Sequence, residues 1–365
     1  MTKLKNILCV LCASAFVLSA SAQYKIEVLD SNNFKIGEGV VLHKTSFRGL
    51  SVVDDQTIWV SGSRGTIAKS VDGGKTFSYT QLKGYEKSDL RDIEAFDDKR
   101  AIIMSSGTPA YILKTTDGGQ TWKEVYKNTD TAYFLDAMDF WDEKRGMLVG
   151  DPINGHFVLL QTNDGGEMWQ ELDTTKTPKA IEGEAVFAAS GTSLRCINKN
   201  EIGFVTGGLV SRIITINNKG NEQQTATLNL IQGKSSQGAF SFVKSRRSWL
   251  FVGGDYLKDT QTILPNFYLS DNMKYFQNNP IENLKGYKSS IEILSETKDI
   301  NNCGYPSIIT TGTSGTEIGQ YLCTGFFPFY KFDSYKESFH VVRKAKKGHS
   351  VFLAGPNGKI GKLIY

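Results

Sequence analysis

Ser70-Val71-Asp72-Gly73-Gly74-Lys75-Thr76-Phe77 is answered downstream by Thr115-Thr116-Asp117-Gly118-Gly119-Gln120-Thr121-Trp122 and by Thr162-Asn163-Asp164-Gly165-Gly166-Glu167-Met168-Trp169. The common pattern is Ser/Thr-x-Asp-Gly-Gly-x-x-aromatic, the Asp box. Asp72 and Asp117 are 45 residues apart, and Asp117 and Asp164 are 47 apart. A repeat of that length predicts a series of equal β-units, as in the blades of a propeller. Locally the phrase is a hairpin. Glycine enters the positive-φ region without a Cβ clash, and the carboxylate and hydroxyl accept nearby backbone N–H groups. Asp72, Asp117 and Asp164 are therefore read as structural residues.

Before each box stands a short apolar strand ending at or near glycine. The strands are Ile58–Gly62, Ile102–Gly107 and Gly146–Gly150. The same shape returns without a full box at Gly203–Gly207, Trp249–Gly253, Ile308–Gly312 and Ser350–Gly355. Seven units result, with insertions in the fourth and sixth. At about 45 residues each they need about 315 residues. The expectation is an all-β chain in which residues 23–365 form a single seven-bladed β-propeller. Its last unit runs out too early for a fourth strand. The alternating Tyr24-Lys25-Ile26-Glu27-Val28-Leu29 is predicted to supply it and to close the ring without a long exposed edge.

Composition agrees with this reading and excludes some functions. Of 365 residues, 22% are charged and 40% hydrophobic, with 36 glycines against 8 prolines, an ordinary globular balance rich in turns. The formal charge of +4 includes Lys3 and Lys5 in a leader-like segment. The rest is close to neutral and gives no argument for nucleic acid. Lys3 and Lys5, the apolar run Ile7–Leu18 and Ala20-Ser21-Ala22 read as a signal peptide over residues 1–22, cleaved after Ala22. That predicts a secreted or periplasmic product with no membrane span, and a monomer. Cys9 and Cys12 give the alternative, a lipid anchor to the envelope. Among the remaining cysteines a Cys303–Cys323 bridge is possible, and Cys196 is left over. No spacing suits a metal, and no cofactor fingerprint follows a strand.

Aligning the starts of the innermost strands places Arg48, Arg91, Asp136 and Arg195 at one position. Three guanidiniums at a channel mouth suit a carboxylate, phosphate or sulfate. The competing reading ties each arginine to an acid such as Asp92 or Asp136. Asp136, Glu182 and Glu184 are the candidate acid/base residues of a glycosidase, which needs a second carboxyl about 5–10 Å away.

The run Ser46-Phe47-Arg48-Gly49-Leu50-Ser51-Val52-Val53-Asp54, with Trp59-Val60-Ser61-Gly62 and the first Asp box, resembles the photosystem II stability/assembly factor group. Those proteins carry neuraminidase-type (BNR) repeats in a seven-bladed propeller. The likeness spans roughly residues 40–170. It implies a non-catalytic assembly scaffold with an arginine patch, for which Arg48, Arg91 and Arg195 are the matching positions. Sialidases share the Asp box and grip a carboxylate with three arginines. Their Phe/Tyr-Arg-Ile-Pro motif is met here by Phe47-Arg48-Gly49-Leu50, which keeps the arginine and loses the Ile-Pro. The expectation is a scaffold that binds a protein or an anionic glycan. The alternative is a glycoside hydrolase or lyase acting on an acidic carbohydrate.

Overall fold

The computed structural model describes residues 24–219, 221–246, 248–270, 284–296, 305–322 and 329–365. Among them seven sheets, antiparallel apart from one added edge strand, form a ring of blades, with no α-helix. The innermost strands are Phe47–Val52, Asp89–Ala95, Leu135–Phe140, Leu194–Asn198, Gln237–Lys244, Ser290–Ser295 and Val341–Lys344, for blades one to seven. Lys25–Val28 pairs antiparallel with Ile360–Ile364 as the outer strand of blade seven, which closes the ring as expected. A short strand, Phe34–Ile36, then adds in parallel to the outer edge of blade one. No helix among the described residues is long and apolar enough to cross a membrane. Residues 1–22, expected to be a signal peptide, and Cys303 and Cys323, expected to be able to bridge, lie outside the described residues. Cys196 is unbridged and half-buried on the inner strand of blade four.

The three Asp boxes repeat one hydrogen-bond pattern. In the first, Ser70 Oγ donates to Asp72 Oδ1 (2.8 Å) and accepts Gly74 N–H (3.0 Å). Thr76 donates its N–H (3.0 Å) and hydroxyl (2.6 Å) to the same carboxylate. Gly73, Gly118 and Gly165 each donate N–H to the preceding turn of their own blade, at Gln56, Lys99 and Lys144. Hydrogen bonding to the charged form holds Asp117 down at about 2.

Each box is also where its blade meets the one before. A Cβ on Gly74, Gly119 or Gly166 would lie 2.7, 3.1 or 2.3 Å from Phe352, Trp59 or Ile102, all on the second strand of the preceding blade. One strand further out, Lys362, Lys69 and Lys114 donate to the carbonyls of Gly73, Gly118 and Gly165 at 2.9, 3.2 and 2.8 Å. At the next junction Gln161 does the same to Asn218 (2.6 Å). The second glycine of the box therefore serves two needs, positive φ and a flat surface for the neighbouring blade.

The bore is not open from end to end. The link from blade three to blade four runs inward, and Ser190-Gly191-Thr192 is buried on the axis. Ser190 Oγ donates to the Ser289 carbonyl of blade six (2.7 Å), and Thr192 Oγ1 donates to Ser241 Oγ of blade five (2.6 Å). A Cβ on Gly191 would stand 2.3 Å from the Asp92 carboxyl of blade two. This plug divides the channel into two separate mouths.

Gly119 and Gly107 have nearly the same φ, 88° and 89°. Only Gly119 has a neighbour within 4 Å of its missing Cβ. Gly107→Ala is expected to cost about 1–2 kcal/mol of backbone strain. Gly119→Ala is expected to add about 1–3 kcal/mol for pressing on Trp59. Urea unfolding of the two variants reads the difference, and equal losses would contradict the packing role assigned to the Asp-box glycine.

Candidate functional site

The mouth at the N-terminal ends of the inner strands holds a cavity of about 510 Å³. Arg48 and Arg91 reach it because each is the extra residue of a β-bulge, between Phe47 and Gly49 and between Leu90 and Asp92. A bulge turns a side chain out of the regular alternation and toward the rim. Asp136 and Phe240 occupy the same bulge in blades three and five.

The strap before the plug fixes both arginines. Arg48 Nη1 donates to the Ala189 carbonyl (3.1 Å), and Arg91 Nη1 donates to the Ala188 carbonyl (3.0 Å). Arg91 Nε also pairs with Asp89 (2.8 Å). Arg48 has no ion pair among the described residues. Burial first, and then the Arg91 charge, lower its pKa, so its charge is held without a matched counter-ion.

Asp136 lies beneath Arg91, fully buried. Burial, and next the neighbouring Asp151 carboxyl, push it well above the ordinary range, against the pull of Arg91. Burial pushes Asp151 up to about 6 although it accepts Val186 N–H at 3.0 Å. His340 is pushed down to about 3 by burial and then by the two arginines, so it is neutral.

The far wall is apolar. Phe187 and Phe240 stack with centroids 4.0 Å apart, and Tyr256 and Tyr287 meet Phe240 edge-on. Tyr256 and Leu257 continue outward as a lip, 46% and 73% exposed.

The remaining sequence candidates fall elsewhere. Arg195 does not join Arg48 and Arg91. The plug takes up the residues before it, so Leu194 and Arg195 pair deeper, opposite Phe204 and Gly203 and before any bulge. Arg195 opens instead into the other mouth, where it pairs with Glu292 (3.2 Å). Glu184 is sealed in a two-pronged contact with Arg212, Nε to Oε1 at 2.8 Å and Nη2 to Oε2 at 2.6 Å. Glu182 is exposed. His156 is half-buried with Nδ1 3.1 Å from the Thr177 carbonyl. Lys346, in the basic run Lys344-Ala345-Lys346-Lys347, turns into the channel and pairs with Glu94. Among the described residues no group of three His, Cys, Asp or Glu is placed to hold a metal. The aromatic wall, Asp151 and the strap carbonyls escaped the sequence reading. The long insertion before blade four was the one available signal for them.

Residues 88–184 match the family described as Photosynthesis system II assembly factor YCF48. A curated relative, the Photosystem II assembly lipoprotein Ycf48 of Synechococcus sp. (strain CC9902), is 26% identical over 125 residues. The match covers 33% of this chain and 35% of that protein, about a third of each. Among solved structures, YCF48 bound to D1 peptide superposes with a TM-score of 0.59 at 13% identity, covering 94% of this chain and 95% of that one. YCF48 from Cyanidioschyzon merolae gives 0.58 at 11%, covering 93% and 98%. The Neurospora crassa Pan2 WD40 domain gives 0.56 at 12%, covering 87% and 88%. At such identities a superposition speaks for the fold, and the matched repeats carry the kinship. The chain is a photosystem II assembly factor-like propeller built on BNR, or Asp-box, repeats.

Proposed function

We propose that the chain is a non-catalytic scaffold that holds a segment of a protein partner in the mouth lined by Arg48 and Arg91. The observation that carries this reading is the half-buried Arg48 guanidinium. It is oriented by one carbonyl and leaves its other donors without a carboxylate among the described residues. A preorganised fork of this kind suits an acidic side chain or a terminal carboxylate. The lip of Tyr256 and Leu257 beside it suits an aromatic or aliphatic anchor on the same segment. The solved relative with a bound D1 peptide is a propeller of this shape with a peptide ligand. Only that ligand class, a protein segment, is carried over to this chain. The glycosidase alternative has less support, since Asp136 is buried and Glu184 is spent on Arg212. An acidic glycan is the competing ligand for the same arginines.

We also read residues 1–22 as an export leader that leaves a soluble product beginning at Gln23. The curated relative's description as a lipoprotein favours the alternative, acylation at Cys9 or Cys12. Fatty-acid labelling in cells separates the two. Incorporated label lost in a Cys9→Ser/Cys12→Ser variant would establish the anchor and exclude cleavage after Ala22.

Selection of linear peptides from a random library, run beside an acidic glycan array, tests the main reading. Peptides that combine an acidic group with an aromatic or aliphatic residue are expected to be enriched. Arg48→Ala and Arg91→Ala should each weaken them about tenfold or more, from about 1.5 kcal/mol per charge-assisted hydrogen bond. Glycan binding without peptide binding would overturn the proposal.

The same assay has an expected pH dependence. Asp151, at about 6, is an anion at pH 7.5 and largely neutral at pH 5.5. Its protonation removes one negative charge from the mouth while a peptide carboxylate near pKa 4 stays ionised. Affinity for an acidic peptide is therefore expected to rise as pH falls through about 6, and Asp151→Asn is expected to flatten that profile.

A further inference from the structure

On the other side of the plug, the C-terminal ends of the inner strands enclose a second cavity of about 370 Å³. Three carboxylates line it, Glu94, Asp139 and Glu292, against four cations, Arg195, Arg343, Lys344 and Lys346. Most of these groups are committed. Lys346 pairs with Glu94, Arg195 Nη1 with Glu292, and Lys344 Nζ donates to the Leu294 carbonyl at 2.6 Å. Asp139 accepts the N–H groups of Phe140 and Cys196 at 2.8 and 2.7 Å.

Arg343 is the exception. Its half-buried guanidinium makes no hydrogen bond and no ion pair with the described residues, although Asp139 and Glu292 are close enough to favour its charge. Behind it Asp92 is pushed up to about 8 by burial, so this acid is protonated at neutral pH and supplies no full counter-charge. Beside it Arg195 Nε, on a side chain only 13% exposed, is buried without an acceptor. What the chamber lacks is a direct acceptor for these N–H groups, since Asp139, Glu292, Asp92 and Glu94 favour the Arg343 charge only through space. Its volume holds about twelve waters' worth of liquid, too little for a folded segment and enough for a small organic acid.

We propose that this lower mouth is a second binding site, independent of the arginine mouth, which takes a small monocarboxylate on the Arg343 guanidinium. The two N–H groups on one edge of the fork meet the two carboxylate oxygens. The surplus of one positive charge disfavours a dicarboxylate, whose second charge would face Glu94, Asp139 and Glu292. The plug of Ser190-Gly191-Thr192 keeps this ligand from the partner-binding mouth, so occupancy of one site does not require the other.

Saturation-transfer NMR on the purified protein, with propionate, malonate and propanol as probes, tests the proposal. Propionate is expected to bind with a Kd in the millimolar range or tighter, ahead of malonate and propanol. Arg343→Lys, which keeps the charge and loses the fork, should weaken propionate about tenfold. Arg48→Ala/Arg91→Ala should leave it within about twofold, since that mouth lies beyond the plug. No transfer to propionate, unchanged binding in Arg343→Lys, or loss in the double variant would each overturn the site. If Arg343→Lys does not fold, arginine Nε–Hε resonances in the Arg48→Ala/Arg91→Ala background decide. A shift on adding propionate supports the site, and no shift overturns it.

Discussion

Inner strands of a propeller are edge strands, and their free backbone N–H groups must be satisfied inside the channel wall. In this chain the neighbouring blade satisfies them with side chains. Ser51 of blade one accepts Ala95 N–H of blade two (3.0 Å), and Asp92 of blade two accepts Met138 N–H of blade three (2.9 Å). Asp139 accepts Cys196 N–H (2.7 Å), Ser211 accepts Ala239 N–H (3.0 Å), Ser241 accepts Ile291 N–H (3.2 Å), and Ser290 accepts Val342 N–H (3.2 Å). At the closure Lys346 N–H goes to the Val52 carbonyl. This chain of bonds sets the spacing of the inner strands and thereby the width of the bore. The bulges that carry Arg48 and Arg91, and the room for the plug, both depend on it.

The outer latch and the inner ring work on different chemistry. Outside, glycine supplies a flat surface and lysine reaches the next hairpin. Inside, small hydroxyls and carboxylates bridge backbones that have come too close for larger side chains. Gly49 shows how close, since a Cβ there would fall 2.9 Å from the Asp92 backbone. The buried carboxyl of Asp92 is costly as an anion, and its pKa near 8 shows that the fold prefers it neutral there.

The repeat made most of the fold legible. The Asp boxes, the glycine-ended strands and the alternating Tyr24–Leu29 gave the blade count and the closing strand, because each reflects a local constraint visible within ten residues. The site was less legible because it depends on register. Arg48 and Arg91 align in sequence and in space, since both sit at the same bulge. Arg195 aligns only in sequence, because residues 186–193 detour through the bore and shift its strand. Lys346 reads as a solvated loop residue until Glu94, some 250 positions away in the chain, is seen opposite it. Phe187, Phe240, Tyr256 and Tyr287 look like ordinary core aromatics, and only the closed ring puts them on one wall.

The central claim is that a protein segment docks at the mouth lined by Arg48 and Arg91. A photo-crosslinking residue at Leu257 on the lip, compared with one at exposed Met168 on the outer rim, tests it most directly in cells. The account predicts a discrete crosslinked protein from position 257, absent from position 168 and lost with Arg48→Ala/Arg91→Ala. Equal crosslinking from both positions, or a product that survives loss of both arginines, would contradict it.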